Sequence, residues 1–142
     1  MVVSRYIQRT LTYLPRIYHR HGFGVQSPHD YELVRDVLFE KLSYYAYNEH
    51  NLKSRLDKLK YRLQLRYGNK LVCVNENAGK VYESILQTDD DSKVLLVEKI
   101  SGRNHYLWKQ ILRDERARVT FDMGAYGLVI LDRKRIKQNY LL

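Results

Sequence analysis

The chain has 142 residues, of which 44% are hydrophobic and 29% are charged. A chain of this length most simply forms one compact domain, and this composition excludes wholesale disorder. Because no apolar run approaches the roughly 20 residues of a membrane-spanning helix, we expect a cytoplasmic protein without a membrane partner. The single cysteine, Cys73, excludes an intramolecular disulfide, and its apolar neighbours indicate a small buried side chain.

The formal net charge of +9 is uneven along the chain. Four arginines precede the first acidic residue, Asp30; they are Arg5, Arg9, Arg16 and Arg20. A purely basic arm can contact nucleic-acid phosphates, acidic lipids or an acidic protein surface. These arginines are therefore candidate anion contacts, although a solvated helix face is the simpler interpretation because they are not densely clustered.

Two helices are predicted near the N-terminus. Apolar residues at steps of three and four predict a short amphipathic helix over residues 3–14, which Pro15 ends or bends. Ser27 predicts the start of the second helix, with Pro28 at the first helical position. Asp30 follows the cap by three residues, and this spacing is typical of a capping box.

A third, longer helix is predicted from Asn48 to Tyr67. Its apolar stripe consists of leucines at steps of four and three, namely Leu52, Leu56, Leu59 and Leu63. A strand over residues 61–67 is the alternative, because apolar and polar residues alternate there. Gly68 is a typical C-terminal stop for the helix.

After residue 70 the pattern becomes that of an α/β domain. We therefore distinguish an N-terminal helical segment, residues 1–70, from a sheet segment, residues 71–142, within one compact domain. Four strands are predicted, over residues 71–74, 93–100, 117–123 and 126–131. A helical crossover makes the first two strands parallel, whereas a tight turn makes the last two antiparallel. The uninterrupted apolar run within residues 93–100 indicates a strand that is buried on both faces.

The segment from His21 to Tyr31 reads His-Gly-Phe-Gly-Val-Gln-Ser-Pro-His-Asp-Tyr, and Tyr44-Tyr-Ala-Tyr47 follows it. It is similar to the G-H-G-x-H-S-P signature of a bacterial group of class I S-adenosylmethionine-dependent methyltransferases, and two further stretches also resemble this group. Trp108-Lys-Gln-Ile111 looks like the W-x-x-I of the helix after the family's fifth strand. The two final strands and the basic residues after them resemble the family's closing hairpin and tail.

The resemblance implies a truncated Rossmann-like methyltransferase fold. N-terminal helices would pack on a four-stranded mixed sheet that ends in an antiparallel hairpin, in the order 4-5-7-6 in the family's strand naming. Strands one to three have no counterpart, and the glycine-rich motif that holds the cofactor is absent. We therefore expect no cofactor and a non-catalytic pseudoenzyme or oligomerising scaffold.

Two carboxylates remain candidates for catalysis. Glu76 and Glu98 follow or end the two parallel strands, at the sheet edge where α/β active sites lie. An enzyme would need S-adenosylmethionine bound at a rebuilt site there, or a partner chain that supplies the missing strands. Solvated carboxylates are the simpler interpretation. No metal site is expected, because His19, His21 and His29 match no standard zinc spacing.

The loss of strand one leaves the first predicted strand at a sheet edge. The candidate oligomer edge consists of Leu71, Val72, Cys73 and Val74. We expect a homodimer through this edge or through the leucine stripe from Leu52 to Leu63, or else a complex with a full-length methyltransferase relative. A basic nucleic-acid-binding module is the alternative function, and it would use the N-terminal arginines.

Overall fold

The structure is a computed structural model that describes residues 27–41 and 45–142. The chain divides into two compact units, Met1–Gly68 and Asn69–Leu142. The described part of the first unit is helical, and the second unit consists of a β-sheet with helices. The predicted first helix lies outside the described residues.

In the first unit, helix α1 spans Pro28–Leu33 and continues as a π-helical turn over Val34–Leu38. Ser27 occupies the N-cap position and Pro28 the first helical position, as predicted. The expected capping box is wrong, because among the described residues the Ser27 side chain caps no backbone N–H. Asp30 is instead buried.

The long third helix is also corrected. Helix α2 spans only Tyr45–Glu49, and helix α3 spans Arg55–Tyr67. The two are separate because Asn51 takes a left-handed conformation, with φ of 55°, after which Ser54 starts a new helix. The Ser54 hydroxyl accepts a hydrogen bond from the backbone N–H of Asp57 at 3.0 Å, which is a typical N-cap.

Helix α3 continues to Tyr67, so the alternative of a strand over residues 61–67 is wrong. Gly68 ends the helix with φ of 58°, as predicted. Leu59 and Leu63 are buried. These two leucines of the stripe therefore belong to the core, whereas Leu52 and Leu56 are half-buried.

The second unit is a five-stranded mixed sheet in the order β1-β2-β4-β3-β5. The strands are β1 (Leu71–Val74), β2 (Val94–Glu98), β3 (Val119–Asp122), β4 (Tyr126–Ile130) and β5 (Gln138–Leu141). Strands β1 and β2 are parallel, β4 is antiparallel to β2 and β3, and β5 is parallel to β3. The order of the first four strands is as predicted.

The fifth strand, β5, corrects the predicted count of four. It was missed because it is short and begins with the exposed polar residues Gln138 and Asn139, so it shows no apolar run. The strand pairs with β3, and Phe121 of β3 stacks on Tyr140 with 5.2 Å between the ring centroids. One edge of the sheet is therefore β5 and the other is β1.

Burial differs between the two parallel strands. In β2 the four residues Val94–Val97 are all buried, as their unbroken apolar run predicts. In β1, however, Leu71 and Val72 are only half-buried and Cys73 is exposed. The prediction of a buried Cys73 is therefore wrong, because β1 is the outermost strand at one end of the described sheet, where the faces are less covered than in the middle.

Two helices connect the strands and pack on the sheet: α4 (Ala78–Gln87) and α5 (His105–Arg113). The Trp108 ring of α5 lies against Gly127 of β4 and is 3% exposed. A Cβ at position 127 would lie 2.6 Å from Cζ3 of Trp108 and closer still to Cη2. Glycine at position 127 thus lets the indole ring lie directly on the backbone of the sheet.

Replacing Gly127 with Ala should destabilise the fold by about 1–3 kcal/mol, because the added methyl group overlaps the Trp108 ring. The free energy of unfolding in urea measures this effect. The matched control is Gly79→Ala in α4, where a Cβ meets nothing within 4 Å. The control should be neutral or stabilising by about 0.5–1 kcal/mol. Equal stabilities of the two variants would contradict the close Trp108 contact.

Candidate functional site

The carboxyl ends of β1 and β2 are joined by one buried side chain, Asn104. Its amide Nδ2 donates hydrogen bonds to the backbone oxygen of Asn75 at 2.9 Å and to that of Glu98 at 2.8 Å. Asn77 and Lys99, which follow the two strands, both have φ of 54°. This left-handed conformation turns the chain sharply after each strand. The Asn104 amide thereby closes the space between the two strand ends.

Glu76 and Glu98, the candidate catalytic carboxylates, both lie at this edge. The exposed Glu76 forms an ion pair with Arg103, with 3.2 Å between Oε1 and Nη1. Glu98 is half-buried as the last residue of β2. The structure therefore places both carboxylates where the sequence predicts them, and the ion pair with Arg103 was not predicted.

Some of the polar groups at this edge are already engaged within the chain. The adjacent backbone oxygens of Asn75 and Glu98 already accept hydrogen bonds from the chain's own Asn104. The buried Oδ1 of Asn75 has no hydrogen-bond partner among the described residues, but a single acceptor does not make a cradle for a nucleoside. We therefore assign no cofactor chemistry to Glu76 or Glu98.

At the other end of the sheet, Asp114 is the centre of a polar cluster that sequence reasoning missed. The Arg116 guanidinium donates to both carboxylate oxygens, Nε to Oδ1 at 3.0 Å and Nη2 to Oδ2 at 2.9 Å. The Tyr82 hydroxyl donates to Oδ2 at 2.8 Å. The only sequence signal was the Asp-x-Arg spacing between the end of α5 and β3.

Opposing effects set the pKa of Asp114. Burial raises it and is the largest single effect, but hydrogen bonds from the side chain and backbone of Arg116 and from Tyr82 together lower the pKa to about 2. Burial and the hydrogen bond to Asp114 raise the pKa of Tyr82. The carboxylate is therefore ionised and paired at neutral pH, and the tyrosine remains protonated.

A cavity of about 360 Å³ opens beside this cluster. It lies where the turn before β2, the segment before β3 and the segment after β4 come together. Its apolar lining consists of Ile85, Leu86 and Leu131, and its charged lining consists of Asp89, Asp90, Asp91, Glu115, Arg116, Arg118 and Arg133. The sequence patterns did not predict this cavity, because its lining comes from three separate segments of the chain.

The remaining predicted site residues are the N-terminal arginines and the histidines. Arg5, Arg9, Arg16 and Arg20 lie outside the described residues, as do His19 and His21. Across residues 27–41 and 45–142, no group of three or more His, Cys, Asp and Glu side chains could hold a metal ion. In the same ranges, none of the helices has the length and apolar character needed to cross a bilayer.

Comparisons with protein-family models, with curated proteins and with solved structures gave no match for this chain.

Acidification should remove the stabilisation that the ionised Asp114 provides. The ordinary pKa of an Asp is 3.8, and the folded-state pKa is about 2. The ionised Asp114 therefore stabilises the folded state by about 2 kcal/mol, in full at pH values above its pKa in the unfolded state. This stabilisation is lost as the pH falls through its pKa in the folded state. Unfolding in urea from about pH 6 to about pH 2 should show Asp114→Asn less stable than the wild type, by a margin that narrows at low pH.

The matched control for this prediction is Glu83→Gln, since Glu83 is an exposed carboxylate on the same helix as Tyr82. Its stability should follow the wild-type pH dependence. A constant difference between wild type and Asp114→Asn over the whole pH range would contradict the assignment of the low pKa to Asp114.

Proposed function

We propose that the chain is a non-catalytic assembly module, related to the methyltransferase group that its sequence resembles, which forms a homodimer through strand β1. The observation that carries this proposal is the state of β1. Strand β1 forms one edge of the sheet, and its apolar residues Leu71, Val72 and Cys73 are half-buried or exposed. An exposed apolar edge strand is a template for pairing with another strand.

The strand order supports the relationship to methyltransferases. A parallel pair, β1 and β2, is followed by the antiparallel β4, which lies between β2 and β3. This is the 4-5-7-6 order that the resemblance implies. The Asn104 amide across the ends of β1 and β2 supports a non-catalytic role, since it occupies the strand ends where an α/β enzyme places its ligand.

Symmetry limits how two β1 strands can pair. Residues directly opposite each other in an antiparallel pair point to the same face, and a two-fold axis perpendicular to the sheet keeps every residue on its own face. Neighbouring residues of a strand point to opposite faces, so a residue can lie opposite only residues that are an even number of positions away in the sequence. The axis must therefore pass through the pair that one residue forms with its own copy. In β1 the central choices are Val72 and Cys73.

Charge complementarity favours the axis at Cys73. With Cys73 opposite its own copy, Val72 lies opposite the partner's Val74. The same register, extended past both ends of β1, brings Lys70 towards the partner's Glu76, which would then exchange its ion pair with Arg103 for one with Lys70. Both Lys70 and Glu76 are exposed, and the two-fold axis creates this pair twice. With the axis at Val72, Lys70 would lie opposite the partner's Val74 and the ion pairs would be lost.

The register is tested by cross-linking. Opposed residues in an antiparallel pair have Cα atoms about 4.5–5.5 Å apart, which is within the range of a disulfide. Mild oxidation at micromolar concentration should therefore convert the wild-type protein to a covalent dimer through Cys73, as measured by non-reducing electrophoresis. The matched control, Cys73→Ser with Ser84→Cys, moves the only cysteine to an exposed position on α4 and should remain monomeric on the gel.

Charge exchange is the second arm of this experiment. Lys70→Glu and Glu76→Lys should each weaken the dimer about three- to thirty-fold, because each places like charges opposite each other twice, and the double variant should restore it. Sedimentation equilibrium measures these affinities. A wild-type protein that stays monomeric and does not cross-link would overturn the proposal, and an unaffected dimer in both single variants would overturn the register.

The non-catalytic role has a separate test. Calorimetric titration of the protein with S-adenosylmethionine should give no binding heat, because Asn104 and Arg103 already engage the groups at the strand ends. Binding at micromolar affinity that Glu76→Gln or Glu98→Gln weakens would contradict a non-catalytic role. The dimer would then be a property of an enzyme.

A further inference from the structure

The cavity beside Asp114 combines an apolar floor with fixed guanidinium groups. Its floor is formed by Ile85 and Leu86 of α4 and by Leu131, which follows β4. Ile85 and Leu86 are half-buried, whereas Leu131 is buried. A volume of about 360 Å³ lies within the range of pockets that hold small molecules. An apolar group of a ligand would therefore be removed from water at this floor.

The three arginines of the lining are held in place by the chain itself. Arg116 donates hydrogen bonds from Nε and Nη2 to the carboxylate of Asp114. Arg118 donates from Nε to the Arg135 carbonyl at 2.9 Å and from Nη1 to the Glu115 carbonyl at 3.2 Å. Since a guanidinium carries five N–H donors, these bonds orient the two groups and leave each with further donors.

Arg133, which follows β4, is the third arginine of the cavity lining. Its Nη2 donates to the carbonyl oxygen of Asp89 at 2.9 Å and forms an ion pair with the Asp89 carboxylate, and its backbone N–H donates to Oδ2 of Asp91 at 3.1 Å. These contacts hold the turn before β2 against the segment after β4. These interactions therefore fix the Arg133 side chain in the wall of the cavity.

Two of the acidic residues of the lining, Asp89 and Glu115, are more exposed than Arg118. The side chains of Asp89 and Glu115 are 87% and 79% exposed, whereas that of Arg118 is 30% exposed. Oδ1 of Asp90 accepts hydrogen bonds from the backbone N–H and the hydroxyl of Ser92. The guanidinium of Arg118 is therefore less exposed than the carboxylates of Asp89 and Glu115, while its Nη1 lies 3.8 Å from Oε2 of Glu115. Asp91 is half-buried.

The geometry points to a binding site for a small anionic amphiphile, a molecule with an apolar chain or ring and one carboxylate. The apolar part would lie on Ile85, Leu86 and Leu131. The carboxylate would accept hydrogen bonds from Arg118 and Arg116, because a guanidinium matches the two oxygens of a carboxylate and binds them both at once. This inference is independent of the proposed dimer, which uses a different part of the sheet.

Three probes with the same chain and different head groups test the ligand class: octanoate, octylamine and octan-1-ol. Titration followed by backbone amide NMR shifts should show octanoate binding more tightly than either of the other two, with the largest shifts at the cavity residues. Tighter binding of octylamine, or equal binding of all three, would overturn the anionic class. Absence of octanoate binding up to millimolar concentration would overturn the site.

Two variants locate the interaction. Arg118→Gln should weaken octanoate binding about ten-fold and leave octan-1-ol binding unchanged, because it removes a charge-assisted hydrogen bond and retains the floor. The matched control is Arg113→Gln, an exposed arginine at the end of α5 that does not line the cavity. Unchanged octanoate affinity in Arg118→Gln would overturn the proposal.

Arg118 also holds the backbone near β5, so its variant is first checked by thermal unfolding. If Arg118→Gln does not fold, Leu86→Trp decides the question. This variant fills the floor and retains all three arginines, so it should abolish the binding of octanoate and octan-1-ol together. Octanoate binding that persists in Leu86→Trp would place the ligand elsewhere and overturn the site.

Discussion

The close contact of Trp108 with Gly127 is the constraint on which the second unit depends. It fixes helix α5 on β4 in the middle of the sheet, and Nε1 of Trp108 also donates to Oδ2 of Asp122 at 3.2 Å. Helix α5 has nine residues and so spans about 14 Å. Its N-cap is Asn104 and its C-cap is Asp114. One packed ring therefore positions the polar centres at both ends of the sheet.

Asn104 and Asp114, at the two ends of helix α5, hold different parts of the second unit in place. At the N-cap, Asn104 joins the strand ends of β1 and β2, so the parallel pair is secured even though β1 has a neighbour on one side only. At the C-cap, Asp114 is held ionised by Arg116 and Tyr82, and this fixes the arginine that lines the cavity. The first arrangement lies beside the strand of the proposed dimer, whereas the second lies beside the cavity of the proposed binding site.

The sequence predicts the sheet better than it predicts the helices and the sites. Unbroken apolar runs give β2 and β4 correctly, because strands in the middle of a sheet are buried on both faces and their composition alone identifies them. The start of α3 was misplaced because Asn48 and Ser54 are both good N-cap residues, and only the conformation of Asn51 separates the two helices. Strand β5 and the exposure of Cys73 depend on which strands become neighbours, and a local pattern does not contain that information.

The cavity shows why a binding site can escape a motif search. Its apolar residues Ile85 and Leu86 fit the inner face of a helix, and its arginines fit solvated loops, so each residue has an ordinary explanation in sequence. Only the fold brings the turn before β2 beside the segment after β4, where Arg133 contacts Asp89 across 44 positions of sequence. The charges then become unequal in exposure, with Arg118 less exposed than Asp89. That difference in exposure, and not the net charge of the segment, is the basis on which we propose an anionic ligand for the cavity.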